Sequence, residues 1–182
     1  TYGGLYRNVN LIIKPHLHIT DPISANEVGS GGLAVEYVNV SKASAHIRIR
    51  THVKNDTAGS AVFTIQQVLK YEDDEVAVSS NSYSLDPGAA QQFSQNIEIS
   101  APALWHPHHP HLYSLTTQVM INDQAIDFVE NKIGIRSIAF NKDNQLLING
   151  EKIFLRGINR HQEYPYVGYA LSDQAQYRDA VK

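Results

Sequence analysis

Apolar and polar residues alternate through most of the first two thirds of the chain. From Ala45 to Lys54 the odd positions Ala45, Ile47, Ile49, Thr51 and Val53 form one face, and His46, Arg48, Arg50, His52 and Lys54 form the other. Successive side chains of a strand point to opposite faces, so this pattern predicts a strand with one buried side. The same alternation runs through Val9, Leu11, Ile13, Leu17 and Ile19, through Phe63, Ile65, Leu69 and Tyr71, and through Phe93, Gln95, Ile97 and Ile99. It returns in Tyr113, Leu115, Thr117, Val119 and Ile121. Pro15 falls inside the first of these runs, and a residue with no N–H places that strand at an edge or a bulge.

Turn residues separate the runs at Asn55-Asp56-Thr57-Ala58-Gly59, Asp86-Pro87-Gly88 and Asn122-Asp123-Gln124. Short strands at this spacing predict a two-sheet antiparallel sandwich over residues 1–136. The texture then changes. Ser137-Ile138-Ala139-Phe140 reads as a short strand, and Gln145 to Leu155 reads as a hairpin around Asn149-Gly150, a pair that accepts the two positive φ values of a type I′ turn. Ser172 is an N-cap for a helix from Asp173 to Lys182, the first convincing helical stretch. A strand, a loop and a helix make half a βα unit, so residues 137–182 are expected to be the truncated start of a further domain.

Composition narrows the function. The 182 residues carry 15 Lys and Arg against 18 Asp and Glu, a formal charge of −3, with no run of like charges that would capture nucleic acid or an anionic membrane. No apolar run approaches the roughly 18 residues that span a bilayer, and the amino terminus lacks a signal pattern. The absence of cysteine removes disulfides, thiolate zinc sites and cysteine nucleophiles, and leaves cytoplasmic, periplasmic and secreted locations open. The opening Thr1-Tyr2-Gly3-Gly4 reads as a cut rather than a natural start.

Three stretches together resemble glycoside hydrolase family 2, which includes β-galactosidases, β-glucuronidases and β-mannosidases. They are Gly3-Gly4-Leu5-Tyr6-Arg7-Asn8-Val9, then Leu104-Trp105-His106-Pro107-His108-His109-Pro110-His111-Leu112-Tyr113, and Asn149-Gly150-Glu151-Lys152 followed by Leu155-Arg156-Gly157-Ile158-Asn159-Arg160-His161. The resemblance implies an immunoglobulin-like sandwich leading into the first strand and helix of a catalytic (β/α)8 barrel. It implies a parent that cleaves terminal β-galactosides or related β-glycosides with retention, the Asn-Arg-His-x-x-x-Pro variant being similar to the β-galactosidase branch. Gln162-Glu163-Tyr164 departs from the Glu-His-His of better-known galactosidases. The family's two catalytic glutamates fall beyond Lys182, so no catalytic residue is expected here and this chain is expected to be inactive alone. The parent's expected partners are its saccharide and the other domains of the same polypeptide. No cofactor is expected in this chain, although the parent could hold a divalent cation.

Barrel enzymes build their sites at the carboxyl ends of the strands. By the resemblance His161, just past Ile153–Ile158, helps bind the sugar, with Asn159 and Arg160 as weaker candidates that could instead brace neighbouring strands. Tyr164, Tyr166 and Tyr169 could line a sugar subsite or pack the barrel floor. The run from His106 to His111 invites a metal, but Pro107 and Pro110 splay the imidazoles and no carboxylate or thiolate completes a set. Trp105 reads as a core anchor. The cationic face from His46 to Lys54 reads as a solvated outer surface, or as a meeting place for another domain or an acidic partner. Asn39-Val40-Ser41 and Asn55-Asp56-Thr57 match the glycosylation sequon. The rival functions are a free-standing carbohydrate-binding or adhesion sandwich and a small metal-dependent protein.

Overall fold

The computed structural model describes residues 4–5, 7–29 and 31–181. Gly3 and Tyr6 of the first motif, and Lys182 at the end of the expected helix, lie outside the described residues. The chain divides into two compact units, one of residues 14–153 and one formed by residues 1–13 with 154–182. The larger unit is an all-β sandwich. In one sheet the central strand β3 (Ser44–Asn55) pairs along one edge with β1 (Leu17–Ile19) and β2 (Leu33–Val40), and along the other with β6 (Ala90–Ser100). The second sheet has the order β5 (Asp74–Leu85), β4 (Ala61–Tyr71), β7 (Tyr113–Ile121), β8 (Gln124–Ile133), and every pair is antiparallel.

The expected inward phase is the one observed. Ala45, Ile47, Ile49 and Val53 are buried, as are Phe63, Ile65, Leu69, Phe93, Ile97, Ile99, Leu115 and Val119. At roughly 1.5–3 kcal/mol for each large apolar side chain removed from water, this face dominates the stability. Tyr113, at the start of β7, accepts a hydrogen bond from Ala103 N–H at 2.8 Å, the corner contact that fixes the approach to this strand in immunoglobulin-like sandwiches. Burial holds the Tyr113 phenol above its ordinary pKa.

Four polar residues of the inward phase meet midway along the sandwich. Gln67 of β4 reaches across the sandwich to Thr51 Oγ1 of β3 at 3.0 Å and to Gln95 Oε1 of β6 at 3.4 Å, while its carbonyl accepts from Thr117 of β7. Gln95 in turn donates to the Ile65 carbonyl at 3.1 Å and to Asn81 Oδ1 of β5 at 3.0 Å. All four are buried. This layer separates two apolar clusters, one around Ile47, Leu115 and Tyr113, the other around Val53, Phe63 and Phe93. At one edge Asp127 of β8 accepts Lys14 Nζ at 2.7 Å and Ile19 N–H at 2.8 Å, clamping β1 to the opposite sheet.

The structure departs from the sequence expectation in three places. The first strand forms only after Pro15, and Val9, Leu11, Ile12 and Ile13 are exposed. No described strand pairs with them, and an isolated run of β-formers has no ladder to join. Strands β2, β5 and β8 had no clear alternation, since each has a largely exposed edge or outer face. The hairpin forms, as β10 (Leu146–Ile148) and β11 (Glu151–Lys152) with β9 (Ile138–Phe140) beside it, but β11 ends at Lys152 and residues 153–158 form no strand. A parallel barrel strand needs neighbours on both sides, and none is present among the described residues.

Gln67→Leu is expected to lower the unfolding free energy by about 2–3 kcal/mol, because Thr51, Thr117 and Gln95 lose their shared partner inside the core. Urea unfolding of the purified chain measures this, with Val62→Leu on the exposed outer face as the near-neutral comparison. A loss within error of that comparison would remove the polar layer from the account.

Candidate functional site

The chain leaves the last strand of the second sheet through Gly134, Ile135 and Arg136. Trp105 N–H donates to the Ile135 carbonyl at 2.8 Å, which lays the indole against Gly134. A Cβ at Gly134 would stand 2.8 Å from the Trp105 ring, so only glycine fits. The Arg136 guanidinium covers the ring at 4.9 Å from its centroid and donates to the Gly134 carbonyl at 2.9 Å. Asn149 and Gly150 take the expected left-handed conformations, with φ of 52° and 80°. The Asn149 side chain also acts as a latch: it accepts Ser137 N–H at 3.0 Å and donates to the Trp105 carbonyl at 3.0 Å. The Leu-Trp segment, the Gly-x-Arg exit and the Asn-Gly turn therefore meet in one junction within the sandwich unit. Trp105 is a half-buried anchor there, capped by a cation.

In the smaller unit the three candidate sugar-binding residues share one cavity. Asn159, Arg160 and His161 line it with Gln162, Glu163 and Tyr169, and its volume is about 430 Å³. His161 and Asn159 are exposed. Arg160 is committed elsewhere: its guanidinium donates to Gln176 Oε1 and to Asp179 Oδ2, both at 2.6 Å. These acceptors lie three residues apart on one face of α1 (Asp173–Val181), the spacing a planar fork can bridge. Asp179 thus faces Arg160. Ser172 caps the helix as expected, its hydroxyl accepting Ala175 N–H and its carbonyl accepting Gln176 N–H. Tyr164 pairs with Gly168 across a tight turn in which Tyr166 has φ 71°, and both tyrosines are exposed, so only Tyr169 joins the cavity.

The histidine run is a turn held by its own backbone. His106 and His109 exchange N–H to carbonyl bonds, His106 Nδ1 accepts His108 N–H at 3.2 Å, and His111 Nδ1 pairs with the Tyr71 hydroxyl at 2.8 Å. Among the described residues no group of three His, Cys, Asp or Glu is arranged to hold a metal ion. On the cationic strand face Arg48 pairs with Glu36 of β2 at 3.2 Å and Lys54 with Asp56, just past the strand, at 2.9 Å. His52 is buried and bonded through Nδ1 to Thr20 Oγ1 at 2.8 Å. Of the two sequons, Asn55 is fully buried with its amide spent on the Gly59 and Leu85 carbonyls, a turn-closing role that leaves no nitrogen for a glycan. Asn39 is exposed.

The geometry thus defines an antiparallel sandwich module whose Leu-Trp, Gly-x-Arg and Asn-Gly stretches build its exit junction. Residues 33–136 match the model of glycosyl hydrolases family 2, and the chain belongs to that family. A beta-galactosidase of Thermoanaerobacter pseudethanolicus is 32% identical over 179 residues, which is 98% of this chain and 22% of that protein. A beta-glucuronidase of Formosa agariphila is 34% identical over 158 residues, 86% of this chain and 16% of that protein. The crystal structure of a Bacteroides uniformis beta-glucuronidase superposes with a TM-score of 0.80 at 28% identity, over 92% of this chain and 20% of that one. This chain therefore spans about a fifth of the length of the relatives it matches.

Asn149→Gly keeps the left-handed turn and removes only the latch. It is expected to cost about 1–3 kcal/mol and to change the emission of Trp105, the single tryptophan of the chain. An unchanged urea midpoint and spectrum would reduce Asn149 to a turn residue.

Proposed function

We propose that this chain is a non-catalytic part of a retaining β-glycoside hydrolase whose whole polypeptide acts on terminal β-galactosides or related β-glycosides. The observation that carries the reading is the family match across the sandwich, together with relatives of that activity aligned over nearly the whole chain. In this reading residues 1–136 are the sandwich domain and residues 137–182 begin the catalytic barrel. The hairpin of β9 to β11 is latched to the sandwich through Asn149, so it serves as the rigid exit from which the barrel departs.

Retaining hydrolysis needs two carboxyl groups about 5 to 5.5 Å apart, one protonating the leaving oxygen and the other attacking the anomeric carbon. The cavity at His161 has one acidic residue in its wall, Glu163, which supports placing the catalytic pair elsewhere in the polypeptide. His161 and Asn159 bind the sugar hydroxyls in the complete site, His161 stabilising the charge that develops on the ring in the transition state. Arg160 holds the loop to α1, and its role toward the sugar runs through the position of its two neighbours. One solved relative is a calcium-binding mutant of a Bacteroides uniformis beta-glucuronidase, which supports a divalent cation in the complete enzyme; no group among the described residues fits one, and no step is assigned to it.

In the complete polypeptide, His161→Ala is expected to lower kcat/KM on a nitrophenyl β-galactoside by about 100-fold or more, with the fold unchanged by circular dichroism. The purified 182-residue chain is expected to release no nitrophenol above a buffer blank. Turnover by the chain itself, surviving removal of contaminants, would overturn the non-catalytic reading; full activity of the His161 variant would overturn its role.

A further inference from the structure

The geometry points to a binding site for a small hydroxylated carboxylate, of the sugar-acid class, in the cavity between β2 and the sandwich exit, with Arg136 as its cation. The cavity is about 490 Å³ and is lined by Tyr37, Val38, Asn39, Val40, Arg136, Ser137 and Ile138. That volume lies in the range of small-molecule sites, which combine a shaped recess with a few convergent polar groups. It is independent of the proposed hydrolysis, since none of the residues assigned to the sugar there lines it.

Arg136 is held in place before any ligand arrives. The indole beneath it and its single hydrogen bond to the Gly134 carbonyl restrict the side chain, so little rotamer entropy remains to be lost on binding. No carboxylate of the described residues pairs with it, whereas Arg48 and Arg160 each have one. A guanidinium has five N–H donors in a planar fork, and one is used here, which leaves an edge for two-point contact with a carboxylate. A β-bulge falls between Tyr37 and Asn39, in the part of the edge strand that lines this cavity. The charge of Arg136 acts on the Tyr37 phenol, whose pKa burial raises. Tyr37, Asn39 and Ser137 of the lining carry a phenol, an amide and a hydroxyl, the neutral donors and acceptors that the cavity wall offers beside the charge. A ligand with a carboxylate and several hydroxyls matches that set; a neutral sugar leaves the cation unanswered, and a simple anion leaves the three neutral groups unused.

Trp105 lies under the guanidinium, so its emission reports occupancy in the unmodified chain. Titration with glucuronate is expected to give a saturable change. Galactose is expected to give none, and acetate and inorganic phosphate at matched ionic strength to bind at least about tenfold more weakly, the scale of lost charge-assisted or neutral hydrogen bonds. Asn39→Asp adds a negative charge at an exposed position and is expected to weaken glucuronate by at least about tenfold while leaving the urea midpoint unchanged. Arg136→Gln is expected to abolish the change. No saturable response to glucuronate, an equal response to phosphate or galactose, or undiminished binding by a folded Asn39→Asp chain would each overturn the assignment.

Discussion

A buried amide bridging two sheets sets the register on which the rest of this sandwich depends. Two apolar faces attract each other without regard to alignment, because burial is non-directional. Gln67 adds direction: its two N–H groups find Thr51 and Gln95 on the facing sheet and its carbonyl finds Thr117 on the neighbouring strand. Sliding one sheet by a single pleat repeat would leave these groups unpaired among isoleucines and leucines, at a cost of several unsatisfied buried groups. The layer therefore contributes modestly to net stability and strongly to the choice among alignments, a use of buried polar groups that coiled-coil registers illustrate.

The alignment it selects has consequences at the far end of the sandwich. With β7 and β8 in register, Gly134 arrives beneath Trp105, and the absence of a side chain there allows the indole to seat. The seated indole then supports Arg136, and the Trp105 carbonyl receives the Asn149 amide that closes the hairpin. Each step is a short-range contact. Together they make the exit of the sandwich stiff.

The smaller unit has a different physical character. Its helix buries no residue, and Phe154, Leu155, Ile158 and Tyr177 are exposed. Its described contacts include the Arg160 fork onto α1, the Ser172 cap and the Tyr164 turn, all of them polar. No described strand covers these apolar side chains, so burial contributes little to holding this unit together.

The inward face of the sandwich was readable because strand geometry imposes a period of two on any sheet with one wet side, and residues 45–53, 63–71, 93–99 and 113–121 obey it. The Asn149-Gly150 turn and the Ser172 cap were readable because their backbone conformations suit few residue types. The polar layer was partly in view, with Thr51, Gln95 and Thr117 in the inward phase; that they and Gln67 meet depends on how two sheets superpose, which no single strand records. Strands with exposed outer edges left no periodic trace, and Gln176, Trp105 and Asn149's acceptor Trp105 lie 16, 31 and 44 residues along the chain from Arg160, Arg136 and Asn149. Local chemistry thus declared which residues form strands, turns and caps, whereas tertiary structure alone decided which polar groups find each other, because hydrogen bonds are selected by distance in space and sequence specifies only distance along the chain.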